Sequence, residues 1–176
     1  YRLKKKYKFK LVNDNCHAVG ASINKDRGYA VKFADLVSLS FHPVKHLTTA
    51  EGGAVLTNNK SYADKISLLR SHGVKRPKKK LDKIGLWYQE MIDLGYNYRL
   101  SDVQAALGFS QINRLEKFLK KRKFIANFYD KIFSNDKKFK VPKVRKNFSH
   151  SYHLYPLLVD FKKVGLSRKE IFKQFL

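Results

Sequence analysis

One lysine of this sequence lies on a turn between two apolar runs. The runs, residues 36–41 and 54–57, each have the length of a buried strand, and Lys45 lies between them. Gly52 and Gly53 allow tight turning or a close approach of two backbones. A lysine on such a turn is expected to lie over a cleft. There desolvation lowers the pKa of its amine, which a Schiff-base lysine needs in order to be a nucleophile near neutral pH.

An aspartate follows a second short apolar stretch, residues 9–13, which is predicted to be a strand. Ligands gather beyond the carboxyl ends of strands in open α/β sheets, so Asp14 is placed for chemistry. Taken alone, the residues favour a turn-capping role for this carboxylate. Cys16 and His17 follow at once, but two potential ligands are too few for a zinc site, and no metal is predicted.

The whole chain has the composition of a globular protein. Its 176 residues could form one domain or pieces of two, and 43% of them are hydrophobic. No stretch approaches the roughly 20 apolar residues of a membrane span. A single cysteine fits a reducing compartment, so a cytoplasmic protein is expected.

The charge is unusual for such a protein. Lysine and arginine number 38 against 14 acidic residues, a formal net charge of +24. This balance leaves a basic nucleic-acid-binding module as an alternative of a different class. The basic residues are spread along the chain, however, so a lysine-rich composition laid over an ordinary enzyme is the preferred interpretation.

The elements that must position these residues follow from periodicity and capping signals. A helix is predicted over 62–71, ended by Gly73 in a left-handed conformation. Residues 75–83 are predicted to be a polar loop, and 86–94 either a packing strand or a segment near a partner subunit.

Two capping boxes mark later helices. Ser101 with Gln104 opens a long helical period that extends to Ile132, and Ser167 with Glu170 opens another helix. Residues 151–160 are predicted to be a strand, in which His153 is expected to be structural.

Three stretches of the sequence resemble the DegT-type sugar aminotransferases, which are pyridoxal-phosphate enzymes of aspartate-aminotransferase fold. Residues 12–21 resemble the pyridine-binding stretch of that family. Residues 40–45 with 51–53 resemble its lysine loop, and 94–108 resemble the entry to its interface helix. The three occur in the order that the family has.

The resemblance implies a role for each candidate residue. Lys45 would be catalytic and would carry pyridoxal 5'-phosphate, and Asp14 would pair with the pyridine nitrogen. His17 would lie against the cofactor ring or its phenolic oxygen, and Ser40 would bind the phosphate. Asn97 and Arg99 would reach the phosphate of the neighbouring subunit in a homodimer, although on the sequence alone Arg99 would be a surface pair partner.

The resemblance also implies an α/β fold, that of the fold-type I pyridoxal-phosphate-dependent transferases. Residues 1–115 would form the C-terminal half of a large mixed-sheet domain with the lysine loop. Residues 116–176 would form a linking helix and the start of a small α+β domain. The chain is therefore expected to be an internal fragment, poorly soluble and inactive alone.

The implied reaction is the transamination of a nucleotide-linked keto sugar, with an amino acid as donor. A UDP-linked 4-keto-6-deoxy-N-acetylhexosamine, glutamate as donor, and the formation of pseudaminic acid or a similar surface sugar are expected. Another 4-keto or 3-keto sugar is the alternative within the family. Neither a nucleic acid nor a membrane is an expected partner.

Overall fold

A three-stranded mixed sheet positions the residues of interest. The computed structural model describes residues 1–175, apart from the side chain of Lys79, so Leu176 of the second predicted region lies outside the described residues. The central strand β3 (Leu36–Ser40) pairs in parallel with β1 (Val12–Asp14) and antiparallel with β4 (Gly53–Leu56). The strands at both apolar runs are confirmed. The strand predicted over 9–13 is shorter and begins later, at Val12, and Asp14 lies at its carboxyl end, as expected.

The other strands form three two-stranded sheets. They pair β2 with β8, β5 with β6 and β7 with β9, all antiparallel. Their bounds are β2 (Ser22–Ile23), β5 (Val74–Lys75), β6 (Glu90–Met91), β7 (Phe139–Lys140), β8 (Phe148–Ser149) and β9 (Leu158–Val159). The helices are α1 (Arg2–Tyr7), α2 (Tyr29–Phe33), α3 (Lys60–Leu69), α4 (Lys78–Ile84), α5 (Asp102–Ile112), α6 (Leu115–Phe133), α7 (Phe161–Val164) and α8 (Arg168–Lys173).

The buried core is small and lies between α2 and the central sheet. Ala30 of α2 and Ala34, the residue after that helix, pack on Val37 of β3, which is fully buried, with Leu11 and Leu39 beside them. Among the described residues many large apolar side chains are exposed instead, Trp87 and Phe109 among them. Apolar surface thus remains available for contact with other parts of a protein.

The helix predicted over 62–71 is α3, which begins and ends two residues earlier, at Lys60 and Leu69, and the left-handed conformation of Gly73 is confirmed. Asn59 caps the start of α3 by accepting a hydrogen bond from the backbone N–H of Tyr62. Gly73 has a φ of 66°, and a β-carbon there would lie 1.8 Å from the carbonyl oxygen of Asp93. The glycine therefore allows residues 93–98 to run directly along the end of α3.

Both capping boxes are confirmed. The Ser101 and Ser167 side chains each accept from the backbone N–H three residues on, and Gln104 and Glu170 return the bond. The long helical period is divided, however, into α5 and α6 at Asn113 and Arg114. The single long helix predicted from the period is therefore two helices in the structure.

Two of the predicted elements are wrong in part. The polar loop over 75–83 contains helix α4, because Pro77 fixes an extended entry and the lysines after it are good helix formers. Glu90 pairs with Lys80 of that helix. The strand predicted over 151–160 is limited to β9, since its first residues turn back through Tyr152 with a φ of 50°.

Contacts join the two predicted regions at several points. Strand β2 pairs with β8, and Arg27 forms an ion pair with Glu116 at the start of α6. The Ser151 hydroxyl donates to the carbonyl oxygen of His17 at 3.3 Å. The boundary at residue 115 stays a prediction.

Within residues 1–175, no helix combines the length and the apolar character needed to cross a bilayer.

Gly53 should be sensitive to substitution because of its place in β4. A β-carbon there would lie 2.6 Å from the backbone carbonyl oxygen of Leu39. Gly53→Ala should therefore lower the unfolding free energy of the complete protein by about 2 kcal/mol, since the strands must move apart. Gly28→Ala is the control, since its β-carbon would meet only an Asp26 side-chain atom at 3.4 Å. Denaturant titration that finds equal effects would contradict the close approach of β3 and β4.

Candidate active site

The parallel pairing of β1 with β3 brings the predicted aspartate to the lysine loop. Asp14 is the register partner of Ser38, and the chain leaves β3 two residues later at Ser40. Ser38 and Ser40 share one face of the strand because side chains alternate. The Ser38 hydroxyl lies 3.5 Å from Oδ1 of Asp14 and 3.8 Å from Sγ of Cys16.

The carboxylate of Asp14 is stabilised in its ionised form. Cys16 lowers the pKa of Asp14, first through its thiol and then through its backbone N–H, which donates to Oδ1 at 3.0 Å. His17 and the Ser38 hydroxyl act in the same direction. Burial raises the pKa of the Cys16 thiol. The site therefore holds an anion beside a neutral thiol.

The lysine loop is a compact turn closed by backbone and threonine hydrogen bonds. The N–H of Lys45 donates to the carbonyl oxygen of His42 at 3.0 Å. Thr48 and Thr49 both donate to the carbonyl oxygen of Phe41, through the hydroxyl and the backbone N–H respectively, each at 3.0 Å. Lys45 is half-buried on this turn, as expected from the apolar runs that flank it.

Helix α5 holds the far side of the lysine loop. Gln104 donates its side-chain amide to the carbonyl oxygen of Glu51 at 2.9 Å. A β-carbon on Gly108 would lie 2.8 Å from the Thr49 methyl group, so the helix approaches the loop closely. Gly108 thus allows a close contact between α5 and the lysine loop of the same chain.

The loop that carries Lys45 follows β3 at the edge of the sheet where the parallel strand β1 ends. Asp14 and Lys45, predicted separately from the sequence, therefore lie at the same edge of the sheet. The positive charge of Lys45 opposes the effect of burial on the pKa of Cys16 and contributes to lowering the pKa of His153.

The other two site residues predicted near Lys45 lie at the same edge. The Ser40 hydroxyl accepts a hydrogen bond from the backbone N–H of His42 at 3.4 Å, at the entry to the lysine loop. His17 is exposed, and its ring centroid lies 4.2 Å from that of His153. Both side chains are available for further contacts.

Asn97 and Arg99 do not join this group within the chain. Both are exposed, and Asn97 forms a β-bridge with Ser71 at the end of α3. Arg99 lines a cleft beside β4 with Glu51 and Gln104, on the other side of the lysine loop. The described chain therefore places four of the six predicted residues together and two apart.

A cluster of imidazoles that sequence reasoning did not identify lies behind Lys45. His46 is only 2% exposed, and its ring centroid lies 5.5 Å from that of His153. Ser151 is buried beside it, and Arg122 of α6 donates to the carbonyl oxygens of Tyr152 at 3.0 Å and His153 at 3.2 Å. No group of three potential metal ligands occurs among residues 1–175.

The site residues that the sequence analysis missed differ in whether a sequence pattern could have indicated them. Ser38 carried a signal, because the alternation Ser38, Leu39, Ser40 places both hydroxyls on one face. His46 follows Lys45 directly, but no local pattern shows that its side chain turns inward. Arg122 belongs to a run of basic residues, and only the tertiary structure distinguishes it from a solvated lysine.

Comparison with known families agrees with this geometry. The profile that describes the DegT/DnrJ/EryC1/StrS aminotransferase family matches residues 1–176. A UDP-4-amino-4,6-dideoxy-N-acetyl-beta-L-altrosamine transaminase of Campylobacter jejuni is 45% identical over 174 residues, which are 99% of this chain and 44% of that protein. The chain thus spans less than half the length of this relative.

Two further relatives also match most of this chain over less than half of their own length. A Helicobacter pylori protein with the same transaminase name is 36% identical over 162 residues, which are 92% of this chain and 41% of that protein. The spore coat polysaccharide biosynthesis protein SpsC of Bacillus subtilis is 35% identical over 162 residues, covering 92% of this chain and 41% of that protein.

Solved structures show the same fold. Helicobacter pylori PseC, an aminotransferase involved in the biosynthesis of pseudoaminic acid, matches with a TM-score of 0.82 and 32% identity, over 98% of this chain and 45% of that chain. The PLP-form of the sugar aminotransferase Spr1654 from Streptococcus pneumoniae matches with a TM-score of 0.78 and 26% identity, over 99% and 44%.

His46 should make stability depend on pH. Burial and then the charges of Arg122 and His153 lower its pKa from 6.5 to about 4. The unfolded imidazole takes up a proton near pH 6.5 and the folded one only near 4, so stability is lost as pH falls through this window. At pH 4 the loss relative to pH 7 is about 3 kcal/mol. His46→Phe should remove this part of the dependence in denaturant titrations of the complete protein.

The control for this measurement is His72→Asn, which removes an exposed imidazole. This variant should show the same difference in unfolding free energy between pH 7 and pH 4 as the wild type. If the wild type and His46→Phe lost the same unfolding free energy between pH 7 and pH 4, the pKa of His46 would not be lowered by folding.

Proposed function

The chain belongs to the DegT/DnrJ/EryC1/StrS aminotransferase family, and from this membership we propose that the protein containing it transfers an amino group to a nucleotide-linked keto sugar. The observation that carries the proposal is the parallel pairing of β1 with β3, by which the carboxylate of Asp14 and the loop that bears Lys45 lie at one edge of the sheet. An anion and a primary amine so placed are what a transaminase needs from its protein.

The substrate proposed is a UDP-linked 4-keto-6-deoxy-N-acetylhexosamine, with glutamate as the amino donor. The transaminase name of the relative that is 45% identical supports this choice of sugar, as does the role in pseudoaminic acid biosynthesis given for the PseC structure. The product would be an amino sugar for a surface glycan. A cytoplasmic location stays a prediction.

The residues at this edge of the sheet fit pyridoxal 5'-phosphate as cofactor. Asp14 supplies a carboxylate for a protonated ring nitrogen, Lys45 supplies an amine for an aldehyde carbon, and Ser40 supplies a hydroxyl for phosphate. A solved relative is described in its PLP-form, which supports the same cofactor here. When bound, this cofactor supplies the electron sink that lets an amino acid lose its α-proton.

The side chains of this chain would then divide the work. Lys45 would hold the cofactor through its amine and would move one proton to or from the substrate carbon. Asp14, whose charge the N–H of Cys16 stabilises, would keep the ring nitrogen protonated. Ser40 would bind the phosphate, and His17 would lie against the ring or its phenolic oxygen.

Asn97 and Arg99 are proposed to act in the site of a second subunit. Within this chain both side chains are exposed and lie apart from Asp14 and Lys45. The hydrogen bonds from Tyr96 and Tyr98 to the end of α3 hold the backbone around them, at 2.6 and 2.9 Å. A rigid segment with an exposed amide and guanidinium suits the binding of a phosphate across a homodimer interface.

Lys45 should be the residue that carries the cofactor. Borohydride treatment of the complete protein loaded with pyridoxal phosphate should label the peptide that contains Lys45, because reduction makes the attachment permanent. Lys45→Ala should lose the label and reduce transamination by at least about 1,000-fold, since the covalent route and the proton transfer both disappear.

Lys60→Ala is the matched control, since Lys60 is exposed and pairs with Asp64 on the same helix. It should keep both label and activity. Labelling of any other lysine, as shown by peptide mapping, would rule out the assignment of Lys45.

The shared site should be demonstrable by mixing subunits. A Lys45→Ala subunit combined with an Asn97→Ala, Arg99→Ala subunit should regain part of the activity, because one of the two mixed sites contains all the required residues. Activity is measured after co-expression and separation of the mixed dimer. Inactive mixed dimers of proven composition would place Asn97 and Arg99 outside the neighbouring site.

A further inference from the structure

Helix α6 holds a segment of irregular backbone next to the candidate site. Residues 150–157 belong to neither a helix nor a strand of the described chain. One nitrogen of Arg122, Nη1, donates to the carbonyl oxygen of Tyr152 at 3.0 Å and to that of His153 at 3.2 Å. Within residues 1–175 no backbone N–H donates to either oxygen, so the guanidinium is the donor that both share. Such charge-assisted hydrogen bonds are stronger than those between neutral groups.

A second bond fixes the same segment to α6. The Tyr155 hydroxyl donates to Oδ1 of Asp130 at 2.5 Å. Asp130 follows Arg122 by about two helical turns, so the two side chains lie on the same side of the helix. Residues 152–155 are therefore held to α6 at two separate points.

The turn at Tyr152 requires this support. Its φ is 50°, a left-handed conformation that is unfavourable for a residue with a side chain. Nδ1 of His150 accepts a hydrogen bond from the backbone N–H of Tyr152 at 2.9 Å, and Arg122 binds its carbonyl oxygen. Bonds on both sides of the residue thus maintain the turn that leads the backbone to His153.

The segment held by α6 contacts His17 in two ways. The ring centroid of His153 lies 4.2 Å from that of His17, with the ring planes inclined at 51°. Ser151, which is only 3% exposed, donates its hydroxyl to the carbonyl oxygen of His17 at 3.3 Å. The first contact acts on the imidazole ring and the second on the backbone. The segment therefore constrains both the place of His17 and the orientation of its ring.

The loop that carries His17 also packs directly on α6. A β-carbon on Gly20 would lie 2.3 Å from Cδ1 of Leu119, so the helix approaches this loop closely. Leu119 precedes Arg122 by about one helical turn. One part of α6 therefore supports both the loop after β1 and the segment 150–157, and it sets the distance between them.

We propose that Arg122 is a positioning residue, which holds the backbone at His153 and thereby fixes the imidazole ring of His17. In the proposed function the ring of His17 lies against the cofactor, so Arg122 acts on the position of the cofactor without touching it. The inference rests on the proposed function for the purpose of His17. It does not rest on it for the contacts that link His17 to Arg122.

The link between Arg122 and His17 is measurable by NMR in the complete protein, labelled with ¹³C-histidine and free of cofactor. The ring current of His153 shifts the ring protons of His17 in the wild type. Arg122→Met keeps a long side chain but has no donor, so the His17 resonances should move towards those of His153→Leu, which lacks the second ring. Unchanged His17 resonances in a folded Arg122→Met protein would overturn the proposal.

Lys123→Met is the matched control. It removes the same charge from the neighbouring, exposed position of α6. The His17 resonances should keep their wild-type values in this variant. An equal change in Lys123→Met and Arg122→Met would show that the charge of the helix, and not the hydrogen bonds of Arg122, acts on His17.

Two measurements on the cofactor-free wild type decide the geometry even where Arg122→Met does not fold. With ¹⁵N-arginine, the Nη1 protons of Arg122 should exchange slowly with water and stay distinct from those of Nη2, because two carbonyl oxygens hold them. The ring protons of His17 and His153 should also show a nuclear Overhauser effect. Freely rotating Nη groups, or the absence of that effect, would contradict the proposal.

Kinetics of the complete protein with bound cofactor test the purpose of this positioning. Arg122→Met should lower kcat about tenfold and change KM for glutamate less than about twofold, because His17 is displaced rather than absent. Arg122→Lys should recover part of this loss, since one ammonium nitrogen can donate to both carbonyl oxygens. Equal kcat values in Arg122→Lys and Arg122→Met would show that hydrogen bonds from this position have no role in the reaction.

Failure of the proposed function is distinguishable from failure of this inference. If the complete protein proves to have no transaminase activity, the proposed function fails, whereas the resonances of His17 and Arg122 still decide the geometry. If the protein is active and kcat of Arg122→Met equals that of the wild type while the His17 resonances have moved, the positioning role of Arg122 is excluded and the proposed function stands.

Discussion

The candidate site depends on the parallel pairing of β1 with β3. This pairing places Asp14 beside Ser38 at the carboxyl edge of the sheet, where the chain leaves β3 for the lysine loop. Parallel strands end at the same edge of a sheet. Asp14 and Lys45, about 30 positions apart in the sequence, are therefore brought to one edge by the strand pairing itself. A shift of one residue in this register would turn Asp14 to the other face relative to β3 and separate its carboxylate from the Ser38 hydroxyl.

The lysine loop is rigid because it is held from both sides by short contacts. Gly53 allows β4 to lie against the backbone of Leu39, and Gly108 allows α5 to approach Thr49. Gln104 closes the arrangement with its bond to Glu51 while also completing the cap of α5. The helix start and the loop thus share one side chain, which couples the position of Lys45 to the segment that carries Asn97 and Arg99.

The sequence predicted the sheet edge and the capping boxes because both are encoded locally. Apolar runs, glycine pairs and the spacing of serine to glutamine act within a few residues of one another. Helix α4 was missed because a lysine-rich segment resembles a solvated loop. The imidazole cluster was also missed, because His46 and His153 are about 100 residues apart and are brought together by tertiary contacts such as the pairing of β2 with β8 and the bonds of Arg122. Such contacts have no local signature.

Asp14 differs from those carboxylates of this strongly basic chain that form an ion pair with a lysine or an arginine. Asp26, Asp35 and Asp93 each form an ion pair with a lysine, as expected where 38 basic residues meet 14 acidic ones. Within residues 1–175, Asp14 has no lysine or arginine nitrogen within 4.0 Å, and a thiol and an N–H stabilise its charge instead. Neutral donors preserve the ionised form without cancelling its field. The negative charge of Asp14 is therefore free to act on a cationic group that binds beside it. A lysine paired with Asp14, in place of these neutral donors, would abolish that effect.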